Sequence, residues 1–151
     1  AFCAALPEDA RPAADAYEAW AFGDSEAMAD ELSALVREGI KTATASLLWE
    51  YENEGSSLPQ VGAYSIILDG GGQPQCIIRT TEVIIRPFNE FDAAFAYDEG
   101  EGDRTLAFWR RAHWDFFTRT CAVIGRTPDE TMPIVGERFE RVYLSIASAD
   151  D

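Results

Sequence analysis

Two β-rich runs, VGAYSIILD (61–69) and QCIIRTTEVIIRPF (75–88), are separated by GGGQP. Branched and aromatic residues dominate both runs, and the triple glycine with Pro74 supplies the backbone freedom that a tight reversal needs. A hairpin at this point commits the chain to a sheet whose apolar faces the remaining segments must cover. Helices are the candidates for that role. In GDSEAMADELSALVREG, Met28, Leu32, Leu35 and Val36 recur at i, i+4, i+7 and i+8, with Asp24 or Ser25 to cap the start and Gly39 at the left-handed position after the end. In RTLAFWRRAHWDFFTRTCAVIG, a second stripe holds Leu106, Trp109, His113, Phe116 and Phe117. LPEDARPAADAYEAWAF (6–22) reads as an N-terminal helix with Pro12 near its first turn, and ERFERVYLSI (137–146) as a returning strand. The expectation is an α+β domain: a small mixed sheet or barrel with strands near 61–69, 75–86 and 138–146, flanked by helices near 25–38 and 104–120.

At 151 residues the chain is sized for one domain. Its net charge of −15 opposes broad binding of phosphate backbones and suits a small, roughly neutral ligand. Three scattered cysteines (Cys3, Cys76, Cys121) and one histidine do not make a disulfide framework or a His/Cys metal centre. A carboxylate-only Mg²⁺ site stays open. No apolar run approaches the ~20 residues of a membrane span, and the N-terminal residues lack a signal-peptide pattern. A cytoplasmic location is the resulting expectation.

One residue stands apart. Lys41, in GIKTATAS, is the only lysine beside eleven arginines. A solvated lysine past the negative end of a helix is the plain reading. The functional one is that this position needs what a guanidinium cannot provide: a compact point donor that is able to lose its proton when desolvated. Thr42 and Thr44 place hydroxyls beside it that an amine can orient or activate.

With these elements in order, the chain resembles the ASCH family. The resemblance runs through WAFGDS, ELSALVREGIKTATASLLWEYE, the glycine hairpin, FDAAFAYDEGEGDRTLAFWRRAHWDFF and RFERVYL, with Gly39, Lys41, Thr42 and Thr44 matching the Gly-x-Lys-Thr-x-Thr motif. It assigns 18–146 to the domain, leaving 1–17 as an N-terminal helical extension and 147–151 as a polar tail. It implies a PUA-like barrel with helices packed around it and a cleft lined by the Lys-Thr motif. Small bacterial members hydrolyse the amide of N4-acetylcytidine with a lysine, a threonine three residues later and a glutamate shortly before a Thr-Leu helix start. Those roles fall here on Lys41, Thr44 and Glu101, with Glu99 as the alternative carboxylate. Other members are linked to RNA cleavage, RNA binding or transcriptional coactivation, so a nucleotide-binding module or a ribonuclease is the rival reading.

On this reading Lys41, partly desolvated, accepts a proton from Thr44, Glu101 holds it, and backbone N–H groups near Thr42 receive the oxyanion. No cofactor or metal is called for, and the partner is a small nucleoside-like molecule or RNA; the oligomeric state is open. Trp49 and Tyr51 are candidates to stack on a base, against core packing. Glu82 falls by alternation on the face of Ile78 and Thr80, as a cleft carboxylate or a solvated edge residue. Arg104 is a candidate to hold a phosphate or carbonyl. His113 reads as a hydrogen-bonded core histidine, and Glu137–Arg138 as a structural pair. DEGEGD (98–103) is a solvated loop unless it folds over the cleft, where it would supply Glu101.

Overall fold

A computed structural model describes residues 17–144. Its elements are β1 (Tyr17–Ala21), α1 (Glu26–Arg37), β2 (Ala43–Leu47), α2 (Leu48–Glu54), β3 (Tyr64–Leu68), β4 (Pro74–Pro87), α3 (Ala93–Glu99), α4 (Leu106–Ile124) and β5 (Pro133–Leu144), with a 3₁₀ turn at Phe88–Glu90. The strands form one mixed sheet in the order β1-β3-β4-β5-β2, parallel between β1 and β3 and antiparallel elsewhere. It curls into a half-barrel accompanied by four helices.

The hairpin and both long helices form where the pattern places them. Ser25 caps α1 by accepting from Met28 N at 3.1 Å, and Gly39 follows the helix with φ +78°. On α4 the buried stripe is Trp109, His113, Phe117 and Cys121, one residue per turn, with Leu106 and Phe116 only half-buried. β5 begins four residues earlier than 137.

The N-terminal helix is a correction. Where the structure describes the stretch 6–22, it is a strand: β1 pairs in parallel with β3 from Tyr17↔Tyr64 to Ala21↔Leu68. Alanine and glutamate favour a helix locally, but a parallel partner 47 residues away overrides that preference. The remainder of that stretch and the polar tail lie outside the described residues.

A second departure lies within β4. Its register against β5 shifts between Thr80 and Glu82, so Thr81 is the extra residue of a bulge. Thr80 is therefore buried on the concave face while Glu82 is turned outward, and the simple alternation that joined them fails.

Two apolar clusters flank the sheet. One gathers Leu47, Phe88, Phe91, Phe95, Trp109, Phe117 and Ile134 under α3 and α4. The other packs Phe22, Leu32 and Val36 against Ile67, Cys76, Ile78 and Phe139. Between them the half-barrel opens into a cleft.

Candidate active site

The cleft encloses about 880 Å³, within the range of small-molecule sites. Its walls follow from strand alternation. In β2, Ala43, Ala45 and Leu47 are buried in the core while Thr44 and Ser46 are half-buried and line the cleft. Ser65 from β3, Thr80 from β4 and Glu137 from β5 continue the same concave wall. Lys41, Glu99, Glu101 and His113 close one end.

Lys41 is 1% exposed. Its ammonium donates to Glu99 Oε1 at 2.8 Å, Ala43 O at 2.8 Å and Glu101 Oε2 at 2.9 Å. These three acceptors, with Glu99 O a longer fourth at 3.4 Å, take up all three of its protons, and the Phe22 ring lies 5.4 Å away. Burial pulls its pKa down, but Glu99 and Glu101 outweigh that and raise it. The expected proton acceptor is therefore held as an ammonium, because desolvation came with two carboxylates.

Glu99, also 1% exposed, is the hub of this end. Besides Lys41, its Oε2 accepts from Trp109 Nε1 at 2.5 Å and lies 3.0 Å from His113 Nε2. His113 Nδ1 is 2.9 Å from Trp109 O. A carbonyl and a carboxylate can only accept, so both ring nitrogens of His113 must donate, which makes it an imidazolium. Burial works against that charge, yet Glu99 raises the His113 pKa. Burial likewise opposes an ionised Glu99, but Lys41 and His113 hold its carboxyl well below the usual range. With Glu101 ionised the four charges cancel. Glu99, Glu101 and His113 offer ligand atoms within 4.8 Å of one another, a spacing that would suit a metal, but the Lys41 ammonium already takes a cation's place between the two glutamates.

Glu101 is the accessible member, with its side chain 17% exposed to the cleft. Burial, with repulsion from Glu99, outweighs the pull of Lys41 and raises its pKa. Gly100 lets the two glutamates converge. It caps α3 in the left-handed region at φ +71°, and a Cβ there would meet Ile40 O at 2.6 Å. Gly100→Ala is expected to destabilise the fold by about 2–4 kcal/mol from the combined conformational and steric terms. Chemical denaturation measures this; an unchanged midpoint would refute it.

Of the residues singled out in the sequence, the structure brings Lys41, Thr44, Glu99 and Glu101 together in the cleft and places four others elsewhere. Thr42 is exposed; its N–H donates to Asp98 O at 2.8 Å, so it is not free for an oxyanion. Trp49, on α2, packs on the core side and lies under Arg126 at 4.6 Å, whereas Tyr51 lines the cleft. Glu82 pairs with Arg138 at 2.7 Å on the outer surface. Arg104, at φ +66°, lies over the Tyr97 ring at 3.6 Å and donates to Tyr97 O at 3.0 Å. It braces the loop that carries Glu101 rather than facing a ligand.

Three features were under-read. Glu137 and Arg138 do not pair: Glu137 faces the cleft while Arg138 turns to Glu82 and Asp98. Trp20, with Glu18 and Phe22 at a period of two, lines the cleft from β1 and just beyond it; that alternation was the available signal. His113 is the hydrogen-bonded core histidine expected, stacked on Trp109, but one of its partners is the site's carboxylate.

Comparison with known proteins agrees with this architecture. An ASCH-domain family model matches residues 18–143. An ASCH domain from Lactobacillus crispatus JV V101 is 34% identical, with a TM-score of 0.86 over 93% of this chain and 89% of that one. A protein from Enterococcus faecalis V583 is 41% identical, with a TM-score of 0.81 over 89% of this chain and 81% of its own. An ASCH protein from Zymomonas mobilis, 9% identical at a TM-score of 0.51 over 87% of this chain and 73% of that one, shares the fold alone. No curated protein matches the sequence. The family model spans nearly all of the described half-barrel, and the chain belongs to the ASCH domain family, with its α+β, PUA-like fold.

Proposed function

We propose that this protein hydrolyses the amide C–N bond of a small, uncharged, acylated nucleoside-like molecule, for which N4-acetylcytidine is the representative. The carrying observation is the charge of the cleft. Among the described residues Glu18, Glu50, Glu54, Glu99, Glu101 and Glu137 line it, no arginine does, and its one lysine is already neutralised. A phosphate would meet carboxylates without a free cation. The surface arginines Arg79, Arg119 and Arg138 are likewise paired with acids. A neutral ligand avoids this repulsion.

The roles follow from access. Thr44 is half-buried on the cleft wall, and its hydroxyl has no hydrogen-bond partner among the described residues. It would position a water that attacks the acyl carbon, or attack that carbon itself and pass the acyl group to water in a second step. Glu101, with its raised pKa, takes the proton from the attacking oxygen and returns it to the leaving nitrogen. Lys41 does not reach the substrate in this scheme. It is a positioning residue that keeps Glu101 aimed and partly ionised, as Glu99 and His113 keep Lys41 in place.

The test is incubation of the purified protein with N4-acetylcytidine, resolving cytidine by chromatography, in parallel with binding to RNA oligomers. Release of cytidine with weak RNA binding is expected. No turnover, together with RNA binding that falls steeply between about 50 and 200 mM salt, would overturn the proposal in favour of an RNA-recognition module.

A further inference from the structure

Glu137 is a buried carboxyl without a cation. It is 5% exposed and sits directly opposite Thr44 in the β2–β5 register, so the two side chains leave the same face about 5 Å apart at Cβ. Its Oε2 accepts the Thr80 hydroxyl at 2.5 Å, and no described residue donates to Oε1. The groups that face it bring no positive charge: Glu18 from β1, Tyr51 from α2, and the hydroxyls of Thr80 on β4 and Thr44 on β2. Burial raises its pKa, against the Thr80 hydrogen bond. An isolated carboxylate in such a place is costly. A ligand that shares a proton with it removes that cost.

We infer that Glu137 is the specificity residue of the cleft, pairing its carboxyl with the amidine edge of an aminopyrimidine or aminopurine nucleoside: a ring nitrogen that accepts, beside an exocyclic N–H that donates. The inference rests on the nucleoside reading above and states which nucleosides fit. The pair keeps two hydrogen bonds whichever partner holds the proton, as neutral acid with neutral ring or carboxylate with protonated ring. Cytosine and adenine present this edge, and acylation of the exocyclic nitrogen leaves one N–H in place. Uracil presents a ring N–H beside a carbonyl: an ionised carboxyl would set one oxygen against another, and a neutral one would give its proton to a carbonyl oxygen, a far weaker base than a ring nitrogen. Trp20 and Tyr51 line the same cleft, and aromatic rings are what a flat base stacks on. An acyl group on the exocyclic nitrogen would then lie toward the cross-strand neighbour, Thr44.

The experiment is calorimetric titration of cytidine, adenosine and uridine into the wild type, Glu137→Gln and Glu137→Leu. The wild type is expected to bind cytidine or adenosine at least about tenfold more tightly than uridine, the scale of a difference in one hydrogen bond's strength. Cytidine against adenosine reports which ring the cleft admits. Glu137→Leu is expected to lose the preference. Glu137→Gln, whose amide can turn its donor and acceptor to suit either edge and has no proton to share, is expected to bind all three with most of the preference gone. Equal binding of all three nucleosides by the wild type, binding of none, or a preference that survives in Glu137→Leu overturns the inference. The outcome is independent of turnover: a preference without deacetylation sinks the hydrolase reading and leaves Glu137 in its role. Deacetylation without a preference does the reverse.

Discussion

Lys41→Met is expected to destabilise the fold by about 3–5 kcal/mol at neutral pH, the usual result of removing one partner from a buried ion pair. Glu99 and Glu101 would be left in a shared site with only His113 to offset them, and one of them would have to take up a proton. The pH dependence has a definite sign. Glu99 has a depressed pKa in the folded state, so its contribution is present above the ordinary carboxylate value of about 4.3 and is lost as the pH falls below it. The gap between wild type and variant in urea denaturation should therefore narrow in acid. Lys41→Arg keeps the charge but not the shape. A planar guanidinium cannot reproduce three contacts at 2.8 to 2.9 Å in a site 1% exposed, and displacement of Glu101 by an ångström would lower turnover by about 10²-fold. Wild-type stability of Lys41→Met would show that the ammonium is not enclosed between the carboxylates.

How much of this was legible in the sequence depends on how local each cause is. The hairpin, α1 and α4 rest on signals within a few residues of each other: GGGQP, the Ser25 cap and a stripe at helical spacing. The rarity of Lys41 in an arginine chain pointed to a special position, and Lys41 is buried at one end of the cleft. Its chemistry was not legible. Whether a buried lysine is an amine or an ammonium depends on what is buried with it, and Glu99 and Glu101 arrive from some 60 residues away. The acidic segment DEGEGD looked like a solvated loop, yet two of its carboxylates are anchored by residues that its own sequence does not show. Glu82 and Glu137 exchanged places for a similar reason. The bulge at Thr81 turns Glu82 outward, and the cross-strand register sets Glu137 against Thr44. β1 was misread because alanine and glutamate carry helical propensity, while its parallel partner β3 is out of reach of any local pattern.

Glu101→Gln is expected to lower turnover of an N4-acylated nucleoside by about 10²–10⁴-fold, the range spanned by general acid–base groups. The fold should be largely preserved. The amide oxygen can still accept from Lys41, and Glu99, which bears most of the buried contacts, is untouched. Loss of activity with retained stability therefore separates a group at the reacting atoms from one that only balances charge. The pH profile separates them further. A general base must be ionised, and burial with repulsion from Glu99 raises the folded-state pKa of Glu101. Wild-type kcat/KM should accordingly rise with pH through that raised value and then level off. In Glu101→Gln the residual rate should lose this acid limb, since nothing remains at that position to titrate. Glu99→Gln predicts the opposite division. Its carboxylate faces Lys41, His113 and Trp109 rather than the ligand, so stability should fall first and the acid limb should persist in whatever activity survives. An acid limb unchanged in Glu101→Gln would remove Glu101 from the proton path and leave it as a second counter-ion to Lys41.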